Sequence, residues 1–367
     1  MKFKVSRDAL LKPLNLVAGV VERRQTLPVL SNVLLNLDGK RLSITGTDLE
    51  VELVGRVSLE EAGDPGEITV PARKLADICK SLPDGSDLEF AVSDGRATLR
   101  SGRSRFTLAT LPAREFPSIE DSIGTHQFAL KQAELRRLIE RTGFAMAQQD
   151  VRYYLNGMYF ELRAGRLRSV ATDGHRLAIC TFPGTLKDLA DTQVILPRKG
   201  VLELARLMQD DEGEVTVILG TNHLRATTPD FTFTSKLVDG KFPDYERVLP
   251  RSADKILQAS RLELRQAFTR TAILSNEKYR GVRLKLEPGS LEIVANNPEQ
   301  EEAEENLPVA YDGEGLEIGF NVGYLLDVLG VLSGEEIRFS LADPNSSALL
   351  EEADGGDSLY VVMPMRL

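Results

Sequence analysis

The chain repeats itself three times, and that constrains its fold more tightly than any other feature. A leucine-flanked turn leads into a small-residue corner at three places in the 367 residues. The first runs Leu37-Asp38-Gly39-Lys40-Arg41-Leu42 and ends at Gly46-Thr47-Asp48. The second runs from Leu162 to Leu167 and ends at Ala171-Thr172-Asp173, the third from Leu286 to Leu291 and ends at Ala295-Asn296-Asn297. The closing residues Asp48, Asp173 and Asn297 stand 125 and 124 positions apart, and Phe116-Pro117 and Phe242-Pro243 stand 126 apart.

Apolar residues at helical spacing precede each corner, over Ser6–Val21, Lys131–Met146 and Ser260–Leu274. Leu10, Leu14 and Val17 set the first pattern, and Leu135, Leu138, Ile139 and Thr142 the second. Ser260 with Glu263 forms a capping box for the third. Pro13 lies inside the first, where it is expected to kink or shorten the helix. A second helix follows each corner, over Arg73–Leu82, Arg198–Met208 and Val322–Leu332. Pro71 and Pro197 fall at first-turn positions, where a missing N–H costs nothing, and Asn321 is placed to cap the last. Alternating runs such as Leu88–Val92, Thr98–Arg100 and Arg105–Ala109 read as strands. Each copy therefore reads strand, helix, three strands, and the same again. That grammar is α+β, with two helices packed on antiparallel sheets. Three similar domains are expected at 1–124, 125–250 and 251–367. The joins Ser118–Thr125 and Leu249–Asp254 carry Pro, Gly, Ser and charge.

An apolar fraction of 42% with 27% charged residues supports buried cores and excludes wholesale disorder. No run of about 18 apolar residues spans a membrane. Arg7, Asp8 and Lys12 interrupt the N-terminal segment, so it does not read as a signal peptide. Cys79 and Cys180 read as reduced, buried residues of a cytoplasmic protein, and three histidines are too few and scattered for a metal site. No cofactor is expected.

Net charge is −10, which by itself argues against nucleic-acid binding. The average conceals a gradient. Residues 1–125 hold 17 Lys and Arg against 18 Asp and Glu, residues 126–250 hold 17 against 16, and residues 251–367 hold 11 against 21. The excess acid gathers in Glu299-Gln300-Glu301-Glu302-Ala303-Glu304-Glu305, whereas the first copy carries Arg96, Arg100, Arg103 and Arg105 on a strand pair. Alternation places Arg103, Arg105 and Thr107 on one face and Phe106 and Leu108 on the other. A solvated charged hairpin explains these arginines as well as a contact does. Sheet-bearing repeats in a row, however, leave an open edge at each end, and open edges invite pairing. A basic first end and an acidic last end suit a head-to-tail contact that closes into a ring, with Phe106, Leu108, Ile273 and Leu274 as its apolar centre.

Basic residues also recur on the helices of every copy: Arg24, Lys74 and Lys80; Arg136, Arg137, Arg141, Arg198 and Lys199; Arg265, Arg270, Lys278 and Arg280. Singly these serve solubility. Facing one side of a ring, they make a basic lumen that attracts phosphates without reading bases. Gln149-Asp150-Val151-Arg152-Tyr153-Tyr154 adds two aromatics that stack on single-stranded bases or, on a strand, fill a core.

Longer motifs carry a resemblance. They are Val151-Arg152-Tyr153-Tyr154-Leu155-Asn156-Gly157, Thr172-Asp173-Gly174-His175-Arg176-Leu177, Phe242-Pro243-Asp244-Tyr245, the segment Asn296–Glu304 and the terminal Met363-Pro364-Met365-Arg366-Leu367. Over its whole length the chain resembles the bacterial DNA polymerase III beta subunits, the sliding clamps. The resemblance implies a DNA-clamp fold and a head-to-tail dimer ring of six domains, with helices lining the hole. Duplex DNA threads the ring, which tethers the replicative polymerase for processive synthesis. The implied partners are the DNA polymerase III alpha subunit, the clamp-loader complex, and other polymerases and repair proteins that dock through short peptides. The implied interface sets Lys74, Arg96, Arg103, Arg105, Phe106 and Leu108 against Ile273, Leu274, Glu299, Glu301, Glu302 and Glu305. The implied peptide pocket comprises Leu155, Thr172, Gly174, His175, Arg176, Leu177, Pro243, Arg247, Val248, Asn345, Ser347, Met363, Pro364, Met365, Arg366 and Leu367. Asn345 stands there in place of an apolar lining residue.

The sequence shows no Walker loop and no nucleophile pattern around Asp173 and His175, so no catalytic activity is expected. The competing reading is a metal-dependent phosphoesterase built on Glu299–Glu305, which lacks companion Asp or His ligands.

Overall fold

The computed structural model describes residues 1–21, 27–119, 124, 126–250 and 253–366. The expected grammar is realised in each copy. The first is β1 (Lys2–Ser6), α1 (Arg7–Val17), β2 (Asn32–Asp38), β3 (Arg41–Thr47), β4 (Val51–Ser58), then β5 (Gly66–Pro71), α2 (Ala72–Ser81), β6 (Asp87–Ser93), β7 (Arg96–Ser101) and β8 (Ser104–Ala109). The second is β9 (His126–Lys131), α3 (Gln132–Thr142), β10 (Gly157–Arg163), β11 (Arg166–Thr172), β12 (Arg176–Thr181), then β13 (Thr192–Pro197), α4 (Arg198–Leu207), β14 (Glu214–Leu219), β15 (His223–Thr227) and β16 (Phe231–Lys236). The third is β17 (Lys255–Ser260), α5 (Arg261–Thr271), β18 (Gly281–Glu287), β19 (Ser290–Asn296), β20 (Glu302–Pro308), then β21 (Leu316–Asn321), α6 (Val322–Val331), β22 (Glu336–Leu341), β23 (Ala348–Glu352) and β24 (Ser358–Val362).

The chain forms two compact units, residues 1–135 with 202–237, and residues 136–201 with 238–367. Each contains one eight-stranded and one four-stranded sheet, and the named pairings are antiparallel. The first unit has β5-β2-β3-β4-β16-β15-β14-β9 and β1-β6-β7-β8. The second has β13-β10-β11-β12-β24-β23-β22-β17 and β20-β19-β18-β21. The middle copy is thus shared, its halves completing one long sheet in each unit. Both long sheets are joined by last strands, β4 to β16 and β12 to β24. Only β8 and β20 are last strands without such a neighbour among the described residues.

The helices end sooner than the apolar patterns suggest. α3 and α5 stop at Thr142 and Thr271 and pass into single 3-10 turns, Gly143–Ala145 and Ala272–Leu274. α1 stops at Val17, where the Ala18 N–H caps the Leu14 carbonyl. Pro13 does not shorten it, for α1, α3 and α5 all have 11 residues. The ring of Pro13 instead fills the space over Gly55, where a Cβ would come within 2.6 Å of it. The Ser260 hydroxyl accepts from the Glu263 N–H, and Asn321 caps α6 through the N–H groups of Gly323 and Tyr324. Pro71 and Pro197 lie one residue before the expected position, ending β5 and β13. α2 buries Ala72, Leu75, Ala76 and Cys79, and α6 buries Val322, Leu325, Val328 and Leu329. Each leucine so buried contributes about 1.5–3 kcal/mol of transfer free energy. Cys79 and Cys180 are both buried and unpaired, on α2 and β12. Among the described residues no helix is long and apolar enough to cross a membrane.

Candidate functional site

The two unpartnered last strands carry the charge contrast. On β8, Arg105 and Thr107 are exposed, Phe106 is half-buried and Leu108 is buried. Arg103 is not on the strand as expected but in the two-residue turn before it, because β7 ends at Ser101. Arg96 is exposed on β7 and Lys74 on α2. Leu108 belongs to the core of its own unit and offers little surface, whereas Ile273 is 76% exposed.

On β20 the alternation turns Glu302 and Glu304 outward and Ala303 and Glu305 toward α5. Glu305 is already held by Arg270, whose Nε and Nη2 donate at 2.5 and 2.9 Å. The hydrogen bonds from Arg270 lower its pKa. The Glu301 carboxylate accepts from Asn297 Nδ2 at 2.7 Å. Glu304, absent from the expected acidic set, is the outward residue at mid-strand. Strand parity, applied to Glu299–Glu305, would have found it. These carboxylates point different ways, and among the described residues no group of three or more His, Cys, Asp or Glu is placed to hold a metal ion.

The expected nucleic-acid residues fall in several places. Arg24 lies outside the described residues. Lys74 and Lys80 are exposed on α2, and Arg198 and Lys199 are half-buried at the start of α4. Arg137 is not free: Asp357 forms an ion pair with it. Tyr153 and Tyr154 are on a 3-10 turn, Tyr153–Leu155, and not on a strand. The turn leaves Tyr153 57% exposed, with its ring edge-on to Tyr154 at 5.7 Å. In the loop before the turn Gln149 is exposed with a φ of 56°, and Val151 is 95% exposed. Asp150 braces that loop. It accepts from Arg152 Nε at 3.0 Å, from Arg152 Nη2 at 2.8 Å and from the Arg152 N–H at 2.8 Å. Those hydrogen bonds pull its pKa down to about 2.

The expected pocket residues all belong to the second unit. Leu155 and Leu177 are buried in one cluster with Tyr159, Phe242, Tyr245 and Val361. The β11–β12 corner holds Thr172, Gly174, His175, Arg176 and Leu177. The Thr172 hydroxyl donates to the Arg176 carbonyl at 2.6 Å and accepts from the Gly174 N–H at 3.1 Å. Gly174 has a φ of 89°, which favours glycine, and a Cβ there would come within 2.9 Å of the mobile end of Arg152. Arg176 anchors this corner. Its nitrogens donate to Asp173 at 3.1 Å, to the Phe144 carbonyl at 2.8 Å and to Asp327, and its guanidinium lies 4.5 Å from the Tyr324 ring centre. These partners make it a brace for the corner, since few of its donors remain for a ligand. The His175 ring faces Tyr324 at 6.3 Å.

The C-terminal tail is tied back to that corner. The Met363 N–H donates to the His175 carbonyl and the Met365 N–H to the Gly319 carbonyl, both at 2.9 Å. Met363 is 39% and Val248 36% exposed. Pro243 and Arg247 are exposed nearby in sequence, and Arg247 pairs with Asp244 at 2.8 Å. Pro364 and Met365 are half-buried and Arg366 is exposed. Asn345 is exposed in a turn held by Asp343, with Ser347 half-buried just beyond it. Leu367 lies outside the described residues.

Family models for the DNA polymerase III beta subunit match in three pieces: the N-terminal domain over residues 1–120, the central domain over 129–244 and the C-terminal domain over 246–366. The beta sliding clamp of Pseudomonas aeruginosa is 66% identical over 367 residues, covering all of both chains. The crystal structure of the DNA polymerase III subunit beta from that organism matches with a TM-score of 0.98 at 66% identity over all of both chains. Its sliding clamp bound to griselimycin matches with a TM-score of 0.97 at 66% identity, again over all of both chains. The chain belongs to the DNA polymerase III beta subunit family, the beta sliding clamps.

Proposed function

We propose that two copies of the chain, each divided as 1–124, 125–250 and 251–367, join head to tail into a ring around duplex DNA. The ring tethers the replicative polymerase, with no catalytic activity of its own and in the cytoplasm. The observation that carries this reading is the pair of unpartnered last strands, β8 with outward Arg105 and β20 with outward Glu304. Within the chain every other last strand has found its counterpart.

The internal joints supply the register. Phe106, Phe233 and Tyr360 hold equivalent places, each reached across three strand pairings from the copy's first strand. Phe233 lies opposite Leu53 and Tyr360 opposite Ala178. Leu53, Ala178 and Ala303 are themselves equivalent, facing Gly46, Ala171 and Ala295. Transfer of the joint puts Phe106 opposite Ala303 of the second copy, both inward. Arg105 then falls opposite Glu304 and Thr107 opposite Glu302, all outward. The agreement of faces supports the register, since a slip of one residue would reverse every pair.

In this reading Lys74, Lys80, Gln149, Arg152, Tyr153, Tyr154, Arg198 and Lys199, with Arg24, contact DNA weakly. Arg137 and Arg152 contribute less, because Asp357 and Asp150 neutralise them. The groove of Leu155, Thr172, Gly174, Leu177, Val248 and Met363 takes short peptides of the polymerase alpha subunit, the clamp loader and other DNA-processing proteins.

A topological test separates this from groove binding. Protein loaded on nicked circular DNA is expected to stay bound and to leave when the circle is linearised. Retention on linear DNA with free ends would sink the ring.

A further inference from the structure

α1 ends against α4 in a small contact with defined chemistry. Arg206, in the last turn of α4, donates from Nη2 to the Leu16 carbonyl at 2.7 Å, and its Nε holds Glu203 at 3.0 Å. Gly19 lies against the pair: a Cβ there would come within 2.5 Å of the Glu203 carboxylate and 2.6 Å of the Arg206 guanidinium. Carbonyls at a helix C-terminus lack intrahelical donors and carry the negative end of the helix dipole, so a cation is their natural partner.

The repeat provides these positions twice more. The equal lengths of α1, α3 and α5 align Leu16 with Arg141 and Arg270, and Gly19 with Phe144 and Ile273. The ten residues each of α2, α4 and α6 align Glu203 with Asp77 and Asp327, and Arg206 with Lys80 and Gly330. In the second unit the Phe144 and Asp327 positions are again brought together, this time by Arg176, which bonds to both. α2 and the end of α5 are the remaining pair. Their contact residues are uncovered: Asp77 and Lys80 are exposed and Ile273 is 76% exposed. Ile78 is half-buried, whereas its counterparts Leu204 and Val328 are 0% and 1% exposed.

We propose that α2 of one copy latches the end of α5 of a second copy. The Lys80 ammonium donates to the Arg270 carbonyl, Asp77 steadies it from one turn back, and Ile78 packs on Ile273. This inference rests on the head-to-tail reading and adds to the strand pairing a separate helical contact, which must also break before the ring opens. It moves Lys80 from the DNA-facing set to the joint between copies.

Subunit exchange between donor- and acceptor-labelled dimers measures the latch. K80E is expected to exchange about a hundredfold faster, the effect of losing one hydrogen bond from a charged group at each of the two joints. K80R, which copies Arg206, is expected to exchange no faster than the parent. Equal rates for K80E and the parent, with R105E still dissociating the dimer, would overturn the latch and leave the strand joint standing. A wild-type chain that sediments as a monomer would instead remove the head-to-tail reading itself. If K80E lowers the salt slope of equilibrium binding to a short linear duplex and leaves exchange untouched, Lys80 is a phosphate contact and the latch is wrong. Circular dichroism of each variant checks that the fold is intact.

Discussion

Arg103→Glu combined with Arg105→Glu is expected to convert the dimer to monomer at micromolar concentration, read by analytical ultracentrifugation. In the transferred register Arg105 lies directly opposite Glu304 of the second copy, and Arg103, from its turn, opposite Asn306. Reversing a charge both removes an attraction and installs a repulsion. With about 0.5 kcal/mol for each at an exposed edge, Arg105→Glu costs about 1 kcal/mol per joint and Arg103→Glu, near the acidic strand but opposite Asn306, about half of that. A head-to-tail ring of two contains the same joint twice, so the cost doubles to about 3 kcal/mol, or about a hundredfold in the dimer constant. Arg105→Glu should account for most of this, since Arg103 faces no carboxylate. Adding Glu304→Arg to Arg105→Glu should restore the dimer, which a merely damaged fold would not allow. A double reversal that remains dimeric, or a swap that fails to rescue while both single variants dissociate, would refute the register. Raised salt should weaken the parent dimer in the same direction, because the pairs are exposed and screened.

The residues that fix this register show what sequence reasoning reaches and where it stops. The twofold grammar of each copy was legible because the period near 125 presents every element three times, so a doubtful strand in one copy is confirmed by its counterparts. Helix ends were not legible. Apolar spacing continues through the 3-10 turns Gly143–Ala145 and Ala272–Leu274, whose buried alanines satisfy the same pattern as a helix. Tyr153 and Tyr154 were ambiguous for a related reason: two adjacent aromatics suit a strand, and only the packing of Leu155 beneath them shows the turn. The electrostatic roles were the least legible. Arg137 finds Asp357, and Arg176 finds Asp327, across more than 150 residues of chain, so each looks locally like an available cation. Composition does not distinguish Glu304 from its neighbours in the acidic run, whereas strand parity puts it on the outward face with Glu302. The pocket residues were reached through family likeness. In the structure the Thr172–Leu177 corner among them is tied by hydrogen bond to the C-terminal tail.

That tail gives the sharpest test of the groove. Removing Met363–Leu367 is expected to lower the affinity for a labelled clamp-binding peptide at least about a hundredfold by fluorescence polarisation. Two methionine side chains leave the rim, each worth about 1.5–3 kcal/mol where a ligand buries it. The flexible thioether suits a surface that accepts peptides of different sequence, so the loss should extend to every peptide class rather than to one. The fold should suffer little. The described part of the tail gives up two backbone hydrogen bonds, Met363 to His175 and Met365 to Gly319, at about 1 kcal/mol each. Val361 and Val362, which fill the core at the end of β24, stay in place. The dimer should be unchanged, since β8, β20 and the helix latch do not involve the tail. Met363→Ala alone should produce an intermediate loss, because Met363 is the more exposed of the two methionines. Unchanged peptide affinity in the truncated chain would refute the assignment of the groove. Lost affinity accompanied by a dissociated dimer would instead place the tail in the joint between copies.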